Sequence, residues 1–172
     1  MSGRRTLVVD GYNVLRSSEG PYSDDVRDDL DAARSRLVAD VAAYVGPGTD
    51  AVVVFDGGAN PHSDGLPHEV AGVTVIFSPF GTDADSVIEQ HVLMRRRAGE
   101  PVTVVTSDAQ TQWTVMGADV ARMSSVGFLE EVASERAERA HFSPAGPARS
   151  TLDQRVDPAI SERLARWARG ES

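Results

Sequence analysis

The sequence contains no cysteine and no lysine, since all 17 of its basic residues are arginine. The absence of cysteine excludes disulfide bonds, thiol nucleophiles and every zinc site built on cysteine ligands. The absence of lysine excludes Schiff-base chemistry and the phosphate-loop lysine of nucleotide hydrolases. The chemistry of this chain must therefore come from carboxylates, hydroxyls, amides, histidine and arginine.

Long apolar runs are also missing. No segment approaches the roughly 18 consecutive apolar residues of a membrane span. The first five residues lead directly into a strand pattern, not into the apolar region of a signal peptide. We therefore expect a cytoplasmic protein with no membrane partner and no disulfide-linked partner.

Positive charge is scarce, because the formal net charge is −9. Proteins that bind nucleic acid over their whole surface do so by neutralising phosphates with basic residues. This chain does not fit that class, although its net charge does not exclude a local basic rim. Metal sites are acidic when empty, so part of the net charge is expected to belong to such a site.

Valine-rich apolar runs predict the strands of a parallel sheet. Four of them lie at about 6–10, 51–55, 73–77 and 102–106, and a short fifth lies at about 119–122. Runs that are apolar throughout are typical of strands covered on both faces. Helical patterns separate them, at about 24–44, 83–97 and 126–140, with another that begins near Asp108 and carries Trp113. This alternation predicts an α/β fold with about five strands.

The length of 172 residues fits one domain with a tail. We predict a domain over residues 1–142, a proline- and glycine-containing linker over 143–158, and a C-terminal helix or tail over 159–172. The segment Gly57–Gly72 is too rich in glycine and proline for an ordinary connection, so it is predicted to be a mobile or substrate-facing loop. No pattern indicates an oligomeric state.

Acidic residues follow the predicted strands, at Asp10, at Asp56, at Asp83 with Asp85, and at Asp108. The carboxyl ends of parallel strands gather along one edge of the sheet, where ligands bind. Carboxylates crowded there repel one another unless a cation lies among them, and hard divalent cations such as Mg²⁺ prefer oxygen ligands. The spacing therefore predicts an acidic, metal-binding edge.

Each of these aspartates also has a purely structural alternative. Asp10 and Asp56 precede glycine, and Asp-Gly is a common turn pair. Asp85 follows Thr82 at the spacing of a capping box, and Ser107 with Gln110 offers the same explanation for the turn that contains Asp108. Serine, threonine or asparagine would serve turns and caps equally well, so aspartate at strand after strand favours a shared site. Glu89 lies four residues after Asp85 on the same helix face and extends the cluster.

Five segments, in order, resemble the YacP-like branch of the NYN family of PIN-like ribonucleases. They are Val-Val-Asp-Gly-Tyr-Asn-Val-Leu at 8–15, Val-Val-Phe-Asp at 53–56, Val-Ile-Phe-Ser at 75–78, Ala-Asp with Ile-Glu at 84–89, and Val-Thr-Ser-Asp-Ala-Gln-Thr-Gln-Trp at 105–113. The similarity covers about residues 5–135, and its most specific parts are Asp-Gly-Tyr-Asn and Thr-Ser-Asp. It implies a PIN-like, three-layer α/β/α fold, which makes residues 1–142 a nuclease domain.

The resemblance also implies metal-dependent endonucleolytic cleavage of RNA, in RNA processing or mRNA decay, on free RNA or on mRNA at the ribosome. It assigns Asp10, Asp85 and Asp108 as the core acidic residues that bind one or two Mg²⁺ or Mn²⁺ ions. The supporting catalytic residues are Asn13, Asp56 and Glu89. Asp83 departs from the family pattern, so it is expected only to begin a helix.

Substrate contacts are predicted close to the first strand and in the glycine-rich loop. Asn13 can donate to a phosphate oxygen or orient a carboxylate, with a helix cap as the alternative. Tyr12 can stack on a base or pack beside the strand. Arg16 follows closely, and His68, with His62, lies in the loop.

Two other functions remain open at this point. One is a non-catalytic RNA- or ribosome-binding module with the same fold. The other is an aspartate-based phosphatase or phosphotransfer domain, which also places acidic residues at strand ends. Such domains generally use a lysine, which this chain lacks, and a second aspartate two residues after the first, whereas Tyr12 stands two residues after Asp10.

Overall fold

The structure, a computed structural model, describes residues 4–17, 20–108, 120–142 and 157–171. Within these ranges the chain forms six strands and six helices. The strands are β1 (Arg5–Asp10), β2 (Thr49–Phe55), β3 (Pro67–Val70), β4 (Val73–Phe77), β5 (Val102–Val105) and β6 (Val120–Met123). The helices are α1 (Gly11–Leu15), α2 (Ser23–Asp28), α3 (Leu30–Tyr44), α4 (Ala84–Arg97), α5 (Ser125–Phe142) and α6 (Pro158–Ala168).

The strands form one sheet in the order β3-β4-β2-β1-β5-β6. All neighbouring strands are parallel except β3, which pairs antiparallel with β4. Asp10 lies opposite Val54, and Phe55 lies opposite Phe77. The carboxyl ends of β1, β2 and β4 are therefore level, and they define what is called the carboxyl edge below.

Helices cover both faces of the sheet, which confirms the predicted three-layer α/β/α fold. Val9 belongs to the larger apolar cluster, which also contains residues of α1, α3, α5 and α6. Its neighbour Val8 belongs to the cluster formed with α4. Successive strand residues point to opposite faces, so a run of consecutive valines is buried on both sides.

The described sheet has six strands where about five are predicted, because β3 lies inside the segment predicted to be a loop. This strand has only four residues, begins with Pro67, and buries only Val70. Proline is tolerated in a sheet at an edge strand such as this one. A short, polar edge strand produces neither an apolar run nor a clear alternation, so the sequence pattern does not reveal it.

The single helix predicted over 24–44 is wrong, since the chain forms two helices there. Asp29 has extended backbone (φ −152°, ψ 95°) and separates α2 from α3. Its Oδ1 accepts hydrogen bonds from the backbone N–H groups of Asp31 and Ala32, each at 3.0 Å. Asp29 is thus an N-cap, and the apolar periodicity runs on through it without marking the break.

The helices predicted over 83–97 and 126–140 are confirmed as α4 and α5, within two residues at each end. The helix predicted near Asp108, with Trp113, and most of the 143–158 linker lie outside the described residues. Helix α6 buries Leu164 in the larger apolar cluster, while the division at residue 142 stays a prediction. None of the helices in the described ranges has the length and apolar character needed to cross a membrane.

Candidate active site

A cavity of about 690 Å³ lies at the carboxyl edge, beside the ends of β1 and β2 and the start of α4. Four carboxylates line it, those of Asp10, Asp56, Asp83 and Asp85. The negative charge of Asp108 also acts on Asp85. The structure therefore brings together the acidic residues that follow four separate strands.

Asp10 stands at the junction of β1 and α1. Its Oδ1 accepts a hydrogen bond of 3.1 Å from the backbone N–H of Asn13, so this carboxylate caps the helix. The helix begins at a glycine because a Cβ at Gly11 would lie 2.3 Å from Cε1 of Phe55. Capping uses only one oxygen, and Oδ2 of Asp10 makes no hydrogen bond within the described residues. The cap and a role in the site are thus compatible.

Asn13 ties the end of β1 to two distant parts of the chain. Its Oδ1 accepts hydrogen bonds from the backbone N–H of Ser107 at 2.8 Å and from the hydroxyl of Ser125 at 2.6 Å. The N–H of Ser125 donates in turn to Oγ of Ser107 at 2.9 Å. With its oxygen held by two donors, Asn13 has its side-chain NH₂ left to donate to a ligand. Sequence reasoning did not single out either serine for this role.

Asp56 lies just past β2, and the structure supports its turn alternative. Its Oδ1 accepts from the N–H of Gly58 at 2.8 Å and from the hydroxyl of Ser78 at 3.5 Å. Ser78 is fully buried, and its Oγ accepts from the N–H of Gly57 at 2.9 Å. This network fixes the carboxylate against the end of β4 while the residue stays exposed to the cavity.

The two aspartates at the start of α4, Asp83 and Asp85, have different roles. Asp83 is the N-cap, because its Oδ1 accepts from the N–H of Ser86 at 2.8 Å, and hydrogen bonding to Ser86 lowers the pKa of Asp83. The expectation that Asp83 begins the helix agrees with this contact. The capping box between Thr82 and Asp85 is wrong, since Asp83 already performs that function. Capping therefore does not explain Asp85.

The pKa of Asp10 lies above its usual range, chiefly because the carboxyl is buried. Burial raises the pKa of this carboxyl to about 6. The N–H of Asn13 opposes that rise, the negative charges of Asp85 and Asp56 add to it, and the positive charge of Arg16 opposes it. A half-buried carboxylate in this environment is costly to ionise.

Asp85 is likewise affected by burial and by neighbouring negative charges. Burial raises its pKa, and the negative charges of Asp83, Asp108, Glu89 and Asp56 raise it further. Glu89 is half-buried one turn further along α4. The predicted neighbours of Asp85 are thus close enough to influence its titration.

Asp108 lies just past β5 and is exposed. Its backbone N–H donates to Oγ1 of the buried Thr106 at 3.2 Å. The backbone carbonyl of Thr106 accepts a 3.4 Å hydrogen bond from Nε of Arg122, which comes from β6. Arg122 is thus a cation beside the end of β5, and it lies in no motif that sequence reasoning used.

Tyr12 and Arg16 both line the cavity. The Tyr12 ring packs against Phe55 with centroids 5.2 Å apart, and its hydroxyl accepts a 3.0 Å hydrogen bond from Nε of Arg34. Arg16 is exposed, with its guanidinium carbon 5.3 Å from the Tyr12 centroid. Tyr12 therefore has the packing role that the sequence left open, whereas Arg16 remains able to contact a ligand.

The two loop histidines are not among the residues that line this cavity. His68 stacks on Trp167 of α6 at a centroid distance of 4.0 Å, and burial lowers the pKa of its imidazole. His62 is exposed, and its backbone N–H donates to Oδ1 of Asn60 at 3.0 Å. The structure thus gives His68 a packing contact, and its substrate-binding role stays a prediction.

A second cavity, of about 390 Å³, lies between α3, α5 and α6. Its charged groups already have partners in the chain. Asp40 accepts hydrogen bonds from Arg136 and, at 2.7 Å, from the hydroxyl of Tyr22, and Arg36 pairs with Asp25 at 2.7 Å. The cavity at the carboxyl edge is the better candidate for an active site, because the negative charges of its aspartates remain unbalanced.

The donor set at the carboxyl edge fits Mg²⁺ or Mn²⁺. All candidate ligands are carboxylate oxygens, and burial together with neighbouring negative charge raises the pKa values of Asp10 and Asp85, a cost of ionisation that a bound cation would offset. In the described ranges, no three or more His, Asp or Glu side chains form a ready-made metal site. Mg²⁺ keeps several waters and takes only one or two carboxylates directly, with substrate phosphate as a further ligand. The residues present are compatible with an ion held in that way.

Comparison with known proteins identifies relatives of the whole chain. A family model described as the YacP-like NYN domain matches residues 7–169. A crystal structure of a tryptophan-to-leucine mutant of Rae1 (YacP) from Bacillus subtilis is 26% identical, has a TM-score of 0.64, and covers 95% of this chain and 91% of its own. A second crystal structure of that protein gives the same identity and TM-score, with 93% and 84% covered. No curated protein sequence matches significantly.

Proposed function

The chain belongs to the YacP-like NYN domain family, and from this premise we propose that it is a metal-dependent endoribonuclease. The observation that carries the proposal is the convergence of four carboxylates, including those of the half-buried Asp10 and Asp85, on one cavity at the carboxyl edge. We propose that it acts in RNA processing or mRNA decay in the cytoplasm, on free RNA or on mRNA at the ribosome.

Asp10, Asp85 and Asp108 would hold one or two Mg²⁺ or Mn²⁺ ions. Bound there, such an ion would neutralise charge on the phosphate and lower the pKa of a water molecule. The carboxylates come from the ends of β1 and β5 and from the first turn of α4, so the sheet and this helix set their separation. Rigid elements hold such constellations better than loops do.

Other residues of the chain would bind the phosphate and orient the attacking water. Asn13 and Arg16 both line the cavity, and the NH₂ group of the one and the guanidinium of the other can donate to phosphate oxygens. Glu89 or Asp56 would accept a hydrogen bond from the water, and in Asp56 the oxygen not bonded to Gly58 is the available acceptor.

The reaction is a hydrolysis. The water oxygen forms a bond to phosphorus, the bond from phosphorus to the 3′ oxygen breaks, and a proton from the water ends on that oxygen. The products would be a 5′-phosphate and a 3′-hydroxyl. No group on the protein is modified during the cycle.

The test is cleavage of structured and unstructured RNA by the purified protein with Mg²⁺ or Mn²⁺. We expect cleavage that EDTA abolishes and that Asp85→Asn reduces at least about 100-fold, because the variant removes a charge from the site. Asp28→Asn is the matched control, since Asp28 is an exposed aspartate of α2 outside the cavity. Equal cleavage by Asp85→Asn and the wild type would refute the proposed site.

The remaining alternatives give different results in the same experiment. A non-catalytic RNA- or ribosome-binding module would bind RNA and never cut it. An aspartate-based phosphatase would release phosphate from small phosphomonoesters such as p-nitrophenyl phosphate and leave internal RNA bonds intact.

A further inference from the structure

Two large apolar side chains are exposed at the carboxyl edge. Phe80 is 59% exposed and Leu66 is 57% exposed, the highest values among the large apolar residues of the described chain. Phe80 lies between β4 and α4, and Leu66 directly precedes β3. Between them, a Cβ at Gly65 would lie 2.9 Å from Cδ of Pro79, so the two segments touch. Phe80 and Leu66 are called the apolar rim below.

The backbone that carries the apolar rim is held in place. The N–H of Phe80 donates to the carbonyl of Ser63 at 3.0 Å, and the N–H of Gly81 donates to the carbonyl of Gly58 at 3.0 Å. The buried Ser63 hydroxyl also donates to the carbonyl of Ser78 at 2.7 Å. A ring on a fixed backbone loses little conformational freedom when a ligand covers it.

The same hydrogen bonds connect the rim to the acidic cavity. Gly58, which accepts from Gly81, also donates its own N–H to Asp56. Asp83, three residues after Phe80, caps α4 and lines the cavity with Asp56. The backbone that carries the apolar rim is therefore hydrogen-bonded to the segment that holds Asp56 and lies three residues from Asp83, both of which line the candidate active site.

We propose that the apolar rim is a nucleobase subsite, in which an unpaired base of the RNA stacks on Phe80 beside Leu66. This inference rests on the proposed function. Stacking requires no positive charge, which suits a chain with a net charge of −9 and no lysine. Every base has a π-face, so the subsite favours single-stranded RNA without selecting a sequence. Bases in a duplex are already stacked and would not reach the ring.

The first test separates binding from chemistry in steady-state cleavage of unpaired RNA. We expect Phe80→Ala to raise KM roughly 5- to 100-fold and to leave kcat within about twofold, because the ring touches a flanking base and not the reacting phosphate. Phe80→Tyr should restore the wild-type KM. Met94→Ala is the control, since Met94 is 52% exposed near the opposite end of α4.

The second test detects the base directly. Phe80→Trp is mixed with a single-stranded RNA and with an abasic oligonucleotide of equal length and charge, and the fluorescence is read by stopped flow before cleavage. The wild type supplies the background of its two native tryptophans, and Met94→Trp supplies a reporter away from the rim. We expect quenching of Phe80→Trp by the RNA, and none by the abasic strand or by a blunt duplex.

The outcomes distinguish this proposal from the nuclease function. Cleavage by the wild type with an unchanged KM in Phe80→Ala overturns the base subsite alone. Quenching without any cleavage supports the subsite and overturns the nuclease. If neither quenching nor cleavage is observed, the base subsite and the nuclease function are both overturned. A dimer that Phe80→Ala converts to a monomer in sedimentation would show that the rim joins two copies of the chain, which also overturns the subsite.

Discussion

The side-chain oxygen of Asn13 accepts a 2.6 Å hydrogen bond from the hydroxyl of Ser125, although 112 residues separate the two. The N–H of Ser107 donates to the same oxygen at 2.8 Å. These bonds join the ends of β1 and β5 to the start of α5 and set the orientation of the Asn13 amide. A residue that faces the candidate active site is thus positioned by the distal part of the chain.

Removal of either partner should therefore destabilise the protein. Asn13→Ala leaves two donors without their acceptor and should lower the free energy of unfolding by about 1–3 kcal/mol, and Ser125→Ala by about 1 kcal/mol. Because both variants remove the same Asn13–Ser125 hydrogen bond, the double variant should lose less than the sum of the two single losses. Urea unfolding of the four proteins measures this coupling.

Ser124→Ala provides the control for that cycle. Oγ of Ser124 accepts from the N–H of Gly127 at 3.0 Å, so its loss removes a helix cap without touching Asn13. Its effect should add to that of Asn13→Ala. A coupling energy no larger for Ser125 than for Ser124 would contradict the role assigned to the hydrogen bond.

Asp10 should make the metal-free protein less stable as the pH rises. Its pKa is about 6 in the folded chain against 3.8 for the free group, so the folded state holds this proton more tightly. The contribution of Asp10 to the free energy of unfolding is therefore fully present below about pH 4. It is lost as the pH rises from about 4 to about 6, and the loss amounts to at most about 3 kcal/mol. Asp10→Asn keeps a capping oxygen and removes the charge.

We accordingly expect Asp10→Asn to be more stable than the wild type at pH 7.5 in EDTA, and equally stable near pH 4. Unfolding by urea at a series of pH values measures the difference. A gain that is the same at every pH would mean that the substitution acts through packing and not through ionisation.

Metal binding should reverse the penalty of the crowded carboxylates. Mn²⁺ that binds only the folded state stabilises it, by about 2.7 kcal/mol at 100 times Kd. Thermal unfolding of the wild type should therefore shift upward with Mn²⁺ and return with EDTA. The shift should be largely lost in Asp85→Asn and kept in Asp28→Asn. Equal shifts in both variants would place the ion elsewhere.

The sheet and the position of the acidic edge were predictable because both depend on local patterns. Runs such as Leu7–Val9 are apolar on both faces, and an aspartate directly after such a run must lie at the carboxyl edge. Local patterns do not distinguish Asp83 from Asp85, since either could begin α4, and only the family resemblance indicated that Asp83 is the helix start. Only the hydrogen bond from Ser86 identifies the cap.

Contacts between distant segments could not be predicted in this way. No local pattern pairs Asn13 with Ser125, or brings His68 against Trp167 at 4.0 Å. The histidine was assigned to substrate because it lies in a glycine-rich loop, but part of that loop is the edge strand β3. The residue on which His68 stacks, Trp167, belongs to α6, about 100 residues later in the sequence.

Gly170, just after α6, should be sensitive to any side chain for two separate reasons. Its backbone has φ +75°, and a Cβ there would lie 2.2 Å from the carbonyl oxygen of His62. Gly99 has a similar φ of +72° but nothing within 4 Å of a Cβ, so Gly99→Ala measures the strain alone, about 1–2 kcal/mol. Gly170→Ala should cost a further 1–3 kcal/mol, roughly the cost of overpacking.

Gly170→Ala should also displace Asn60, whose Nδ2 donates to the carbonyl of Ala168 at 2.8 Å. The loop that follows Asp56 should therefore become less ordered. Urea unfolding and the rate of RNA cleavage measure both effects, and equal losses in the two variants would mean that α6 does not support this loop.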